Sequence, residues 1–108
     1  MVKILEMISQ RNMIRIILDH GEDIWLYPSD LREAPFSEGS EIEEEVLWNY
    51  VRLRQYPRAL NQAVAMLARR PHSTREIERR LQMKHYAQEV IGLVVYKLEK
   101  EKLLDDQL

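Results

Sequence analysis

Six cations crowd one stretch of this chain: Arg69, Arg70, Arg75, Arg79, Arg80 and Lys84. Guanidinium groups stay charged at any working pH and match the oxygens of carboxylates and phosphates, so the chemistry open to this set is recognition of an acidic surface. Between residues 58 and 84, seven Lys and Arg side chains meet only Glu76 and Glu78, a local balance of +5. Arg75 and Arg79 are spaced to share a helix face, with Arg80 beside them and Lys84 one turn beyond Arg80. Part of the set has an internal explanation. Glu76 and Arg80 stand at the spacing of an i,i+4 ion pair, and Lys84 suits the negative end of a helix. Arg75 does not fit so well: a cation in a first helical turn is disfavoured by roughly a few tenths of a kcal/mol, which points to an anion supplied from outside.

Other chemistry finds little support. Ser73 has no base placed to activate it and is fully used as a helix cap, and His20, His72 and His85 have no spacing that would gather them around a metal. The chain has no Cys, so thiolate sites and disulfides are excluded, and its three Gly form no phosphate-binding loop. Asp105 and Asp106 follow the last apolar pair and fit the cap of a following helix better than a catalytic pair. The expectation is a protein without catalytic residues, cofactor, metal or small-molecule substrate.

Helices must position the cations. Arg69 and Arg70 close one helix, Pro71 cannot continue it, and Ser73 with Glu76 forms a capping box for the next. The first helix of this half is predicted from Pro57, suited to a first helical position, to about Arg70, with Leu60, Ala63, Val64, Leu67 and Ala68 on one face. The second runs from Ser73 to about Lys84 with Ile77 and Leu81 inward. A third, from about Ala87 to Lys102, turns Val90, Ile91, Val94, Val95 and Leu98 inward, and Gly92 within it reads as a point of close helix packing. Short amphipathic helices with brief links bury their stripes only against one another, so a compact three-helix unit follows.

The first half alternates like strands. Ile14, Ile16 and Leu18 share a face, Ile24 and Leu26 alternate with Trp25 and Tyr27, and Asp19 to Glu22 is the turn between them. Val2 to Ile8 is a third strand, followed by a turn over Ser9 to Asn12. Pro28 to Glu33 reads as a short helix capped by Ser29 or Asp30. Ser40 and Glu43 form a second capping box, opening a connecting helix whose stripe is Leu47, Tyr50, Val51 and Leu53, with Glu43, Glu44 and Glu45 at its positive end. That helix is expected to cover the sheet, with Trp25, Trp48 and Tyr50 in the core between them. The fold class is thus α+β: a three-stranded antiparallel meander and connecting helix over residues 1–55, then a three-helix unit over 56–108, with four main helices after residue 40.

Composition agrees with an ordinary soluble domain, 45% apolar and 31% charged over 108 residues. Charge is lopsided: residues 1–55 hold 6 basic and 11 acidic side chains, residues 56–108 hold 10 and 7. No apolar run is long enough for a membrane span and no secretory signal opens the chain, so a cytoplasmic protein without membrane partners is expected.

The pattern from Ala59 to Asp106 resembles the first repeat of the RecX family, bacterial modulators of the RecA recombinase. It comprises Ala59-Leu60, the Leu67, Arg70, Ser73, Glu76-Ile77 and Leu81 series, a Val90-Ile91 helix, and Leu103-Leu104-Asp105-Asp106. The strands about Asp19 to Glu22 and the run Gly39-Ser40-Glu41-Ile42-Glu43-Glu44-Glu45 are similar to the family's amino-terminal extension. Family members carry three or more repeats, whereas this chain ends two residues after Asp106, so a shortened form is expected. The resemblance implies a regulator that binds RecA filaments on single-stranded DNA and damps homologous recombination, DNA repair and the SOS response, through Arg69, Arg70, Arg75, Arg79, Arg80 and Lys84. Weak contact with single-stranded DNA itself is implied as well. The alternative is a free-standing DNA-binding module, since a three-helix unit with a basic second helix is similar to a helix-turn-helix reader.

Overall fold

The computed structural model describes residues 1–107. Its elements are β1 (Val2–Gln10), β2 (Met13–Leu18), β3 (Ile24–Leu26), a 3-10 turn (Pro28–Leu31), β4 (Glu41–Ile42), α1 (Glu44–Arg69), α2 (Thr74–Met83) and α3 (Gln88–Lys100). Contacts divide the chain into two compact units, Met1–Arg54 and Gln55–Leu108.

In the first unit the expected meander is present and gains a fourth strand. The sheet order is β3-β2-β1-β4, antiparallel throughout, with Ile4 opposite Leu18, Ile16 opposite Ile24 and Val2 opposite Ile42. Strand alternation sends Val2, Ile4, Ile16, Leu18, Ile24, Leu26 and Ile42 to one face, where all are buried, as are Phe36, Leu47 and Val51. The same alternation puts Trp25 on the opposite face beside Arg15, whose guanidinium lies 5.6 Å from its ring centroid and also pairs with Asp23 at 2.6 Å. Trp25 is therefore outside the core expected for it. A register shift between Ile4 and Glu6 leaves Leu5 exposed.

Local chemistry in this unit departs from expectation at two caps. Residues 41 and 42 are drawn into pairing with Val2 and Lys3, so α1 starts only at Glu44. Ser40 consequently caps no helix: its Oγ donates to the Ser37 carbonyl at 2.6 Å and accepts from the Ser37 N–H at 3.0 Å. The 3-10 turn is likewise not capped by Ser29 or Asp30. Asp30 sits inside it, and its Oδ2 accepts from the Tyr27 N–H at 2.9 Å. Fully buried, Asp30 also accepts from Arg54 Nε at 3.0 Å, while the Tyr50 hydroxyl donates to its carbonyl.

The two helices expected on either side of Pro57 are one, so three main helices rather than four follow residue 40. A proline inside a helix removes one backbone bond and crowds the carbonyl four residues back, at about 3 kcal/mol. Here Pro57 and Leu53 are both exposed, so the freed carbonyl lies on the solvent side, while the buried row Val51, Gln55, Ala59 and Ala63 runs uninterrupted. Of the predicted stripes Leu47, Val51 and Ala63 are buried as expected, and Gln55 and Ala59 complete the row. Leu53, Val64 and Ala68 are exposed, and Leu60 and Leu67 are half-buried.

In the second unit Ile77 and Leu81 of α2 and Val90, Ile91, Val94, Val95 and Leu98 of α3 are buried as predicted. Gln55 and Gln62, two turns apart on α1, hold the link between α2 and α3: Gln55 Oε1 accepts from the Ala87 N–H at 2.9 Å and Gln62 Oε1 from the Tyr86 hydroxyl at 2.8 Å. Gly92 is not a packing point. A Cβ added there would meet nothing within 4 Å.

Candidate functional site

The helix that carries most of the cations is fixed at its start by local chemistry. Ser73 has an extended backbone, its Oγ accepts from the Glu76 N–H at 3.2 Å, and Glu76 Oε1 accepts in turn from the Ser73 N–H at 3.2 Å. This capping box leaves the Thr74 amide to be satisfied. Asp106 does so from the far end of the unit: its two oxygens accept from the Thr74 N–H at 2.7 Å and the Thr74 hydroxyl at 2.9 Å. The neighbouring Asp105 N–H donates to the His72 carbonyl at 2.9 Å, so the segment after α3 is tied across the start of α2. Asp106 thus closes its own unit.

Two carboxylates therefore sit at the positive end of α2, and both are held below the usual carboxylate range. For Glu76 the chief cause is the hydrogen bond from Arg70, then that from the Ser73 backbone; for Asp106 it is the Thr74 backbone N–H, then the Thr74 hydroxyl. They compensate the helix dipole around Arg75, so its position in the first turn is no longer evidence for an external anion.

The six cations separate into one that is engaged and five that are presented outward. Arg70 bonds Glu76 Oε2 at 2.9 Å and the Pro71 carbonyl at 3.0 Å. Because Glu76 is committed to Arg70 and Ser73, the expected Glu76–Arg80 pair does not form. Arg69 is the last residue of α1 and is exposed. Arg75, Arg79 and Arg80 are exposed on α2, and Lys84 is exposed at its C-cap. Among the described residues, none of these five has an ion pair or side-chain hydrogen bond.

Helical spacing arranges them in two rows. Arg75, Arg79 and Met83 follow one another at four-residue intervals, as do Arg80 and Lys84. Met83, 70% exposed, places an apolar, pliable side chain among the cations. Such a surface suits an acidic patch with an apolar centre, where the thioether loses water while the guanidinium groups pair at the rim. Sequence reasoning did not single out Met83, although its interval of four from Arg79 was visible.

Residues 59–98 match the family model described as RecX, first three-helix domain. No curated protein matches the chain. Among solved structures, one titled "Crystal structure of regulatory protein RecX" is similar over 98% of this chain, with 20% identity and a TM-score of 0.50. At that identity the likeness establishes a shared fold. The chain spans 53% of the length of that protein, about half.

Proposed function

Because residues 59–98 match the family model of the first three-helix domain of RecX, we propose that the chain acts as a regulator of the RecA recombinase, docking on RecA filaments through the outward face of α2. One observation supports this placement above others. Arg75, Arg79, Arg80 and Lys84 are exposed around Met83 without carboxylate partners, although Glu76 stands on the same helix and is taken up internally. The like-charged i,i+4 pairs Arg75–Arg79 and Arg80–Lys84 cost the helix about 0.2 to 0.5 kcal/mol each and are relieved only when an acidic partner approaches, which fits a docking face better than a stabilising one. The acidic balance of residues 1–55 opposes autonomous grip on a nucleic-acid backbone, so the protein filament rather than bare DNA is the favoured partner.

Co-sedimentation with RecA filaments on single-stranded DNA, beside the same DNA without RecA, tests the proposal. The wild-type chain should sediment with filaments and bind bare DNA more weakly, with log affinity for the DNA falling by about 0.7 per phosphate contact for each unit of log salt. The double change Arg75→Glu, Arg79→Glu should weaken filament binding about tenfold or more, because repulsion replaces attraction at two rim positions. Both residues lie away from Ile77 and Leu81, so melting should barely move. Equal affinity for filaments and bare DNA would favour a DNA-binding module. Unchanged filament binding by the reversed chain would remove α2 from the interface.

A further inference from the structure

The face of α2 suits an acidic surface with an apolar centre, and the chain itself carries one. Glu41, Glu43, Glu44 and Glu45 stand where β4 passes into α1, and all four are exposed. Val46, 44% exposed, follows them in the first turn of the helix. Glu44 approaches His20 at 3.8 Å, whereas Glu41, Glu43 and Glu45 have no ion pair or side-chain hydrogen bond among the described residues. Carboxylates placed here compensate the dipole of α1 without engaging their oxygens, which stay open to a cation. Other acidic stretches are already engaged: Asp19 and Asp23 pair with His20 and Arg15, Glu38 accepts from the Met7 N–H, and Glu101 holds Lys97.

We infer that the α2 face of one copy takes the acidic start of α1 from a second copy of this chain. Charge selects this occupant. Arg75, Arg79, Arg80 and Lys84 bring four cations without partners, Glu41, Glu43 and Glu45 bring three carboxylates without partners, and each set repels its own kind. The apolar centres match as well. Met83 lies among the cations at 70% exposed and Val46 beside the carboxylates, so each sheds water against the other while the charges pair at the rim. Because the two patches differ, the contact is head-to-tail. Occupied in this way, α2 is withheld from any other acidic partner, and the chain damps its own docking as its concentration rises. That competition rests on the RecA docking proposed above, whereas the self-association does not.

Two such patches fall short of the roughly 1,200 Å² of a stable interface, so the association is weak, on the order of 0.1 to 1 mM at low salt. Sedimentation equilibrium of the 108-residue chain between about 10 μM and 1 mM reads it. Two salt concentrations are compared, about 20 mM and about 500 mM, between which the screening length shrinks from roughly 20 Å to roughly 4 Å. Average mass should rise with concentration at the lower salt and return to one copy at the higher. Glu43→Lys with Glu45→Lys, and separately Arg75→Glu with Arg79→Glu, should each weaken association about tenfold or more. An equimolar mixture of these two variants should regain it, since one is then basic at both patches and the other acidic at both. Glu43→Gln with Glu45→Gln spares the start of α1 a positive charge and should act in the same direction, with melting nearly unchanged. In co-sedimentation with RecA filaments, this glutamine variant should match the parent at about 1 μM and bind more tightly at about 0.5 mM, where the parent covers its own α2 face. A monomer at every concentration in low salt, association that persists in high salt or in the arginine variant, or a mixture that stays monomeric would overturn the inference. Self-association as expected, with no filament binding by any chain, would uphold it and count against RecA docking alone.

Discussion

Gln55→Leu tests the packing of the second unit most directly. Gln55 is fully buried on α1, and its Oε1 accepts the N–H of Ala87, the residue that precedes the first turn of α3 and is itself buried. Leucine fills nearly the same volume but offers no acceptor. The Ala87 amide would then be left in an apolar setting without a partner, at about 1 to 3 kcal/mol. Removing the glutamine's own buried amide returns part of that, since an apolar side chain costs less to bury, and a net loss of about 1 to 2 kcal/mol remains. For a domain of this size that lowers the melting temperature by roughly 5 to 15 °C. Urea unfolding gives the free energy, and amide hydrogen exchange followed by NMR gives the mechanism: the Ala87 amide should exchange faster in the variant than changes in global stability account for. The neighbouring bond from the Tyr86 hydroxyl to Gln62 at 2.8 Å should survive. A variant as stable as the parent, or more stable, with Ala87 protection unchanged, would refute the claim that α1 holds the α2–α3 link through this side chain.

Three further outcomes are expected. Ser73→Ala removes the acceptor for the Glu76 N–H and should cost about 0.5 to 2 kcal/mol by thermal or urea unfolding, an unchanged midpoint arguing against the capping box. Lys102 follows α3 in the left-handed region, at φ 57°, while Leu103 N–H reaches back to the Leu98 carbonyl at 2.9 Å; Lys102→Gly should therefore stabilise the chain by about 0.5 to 1 kcal/mol, and a loss in urea titrations would count against this geometry. Acid should weaken the second unit through Glu76 and Asp106. Both carboxyls titrate lower in the folded chain than their ordinary values of 4.5 and 3.8, so the unfolded chain binds protons first. The stability they lend is complete above those values and is lost as pH falls through the lowered ones. Asp106→Asn should flatten that part of the pH-stability curve, and an identical acid limb in parent and variant would exclude the Asp106–Thr74 contact as its source.

What the sequence by itself determined was chemistry whose partners lie close along the chain. Alternation over Ile14 to Leu18 and Ile24 to Leu26 placed two strands, Ser73 and Glu76 opened α2, and Ile77 with Leu81 set which way Arg75 and Arg79 face, because each of these depends on spacing within a turn or a pleat. The same reasoning failed wherever a distant residue competed for a local partner. Ser40 and Glu43 have the spacing of a cap, yet pairing of Glu41 and Ile42 with β1 moved the helix start past them. Glu76 and Arg80 have the spacing of an ion pair, yet Arg70 reaches Glu76 across the turn and leaves Arg80 exposed. Pro57 has the character of a helix start, yet a buried row continuing on both sides of it outweighs one lost backbone bond. Asp106 meets Thr74, and Gln55 meets Ala87, across 32 residues each, a separation at which no periodicity survives in the sequence. Only folding decides those contacts, since a group leaves water for whichever partner the packed chain brings within reach, and that choice belongs to the whole structure.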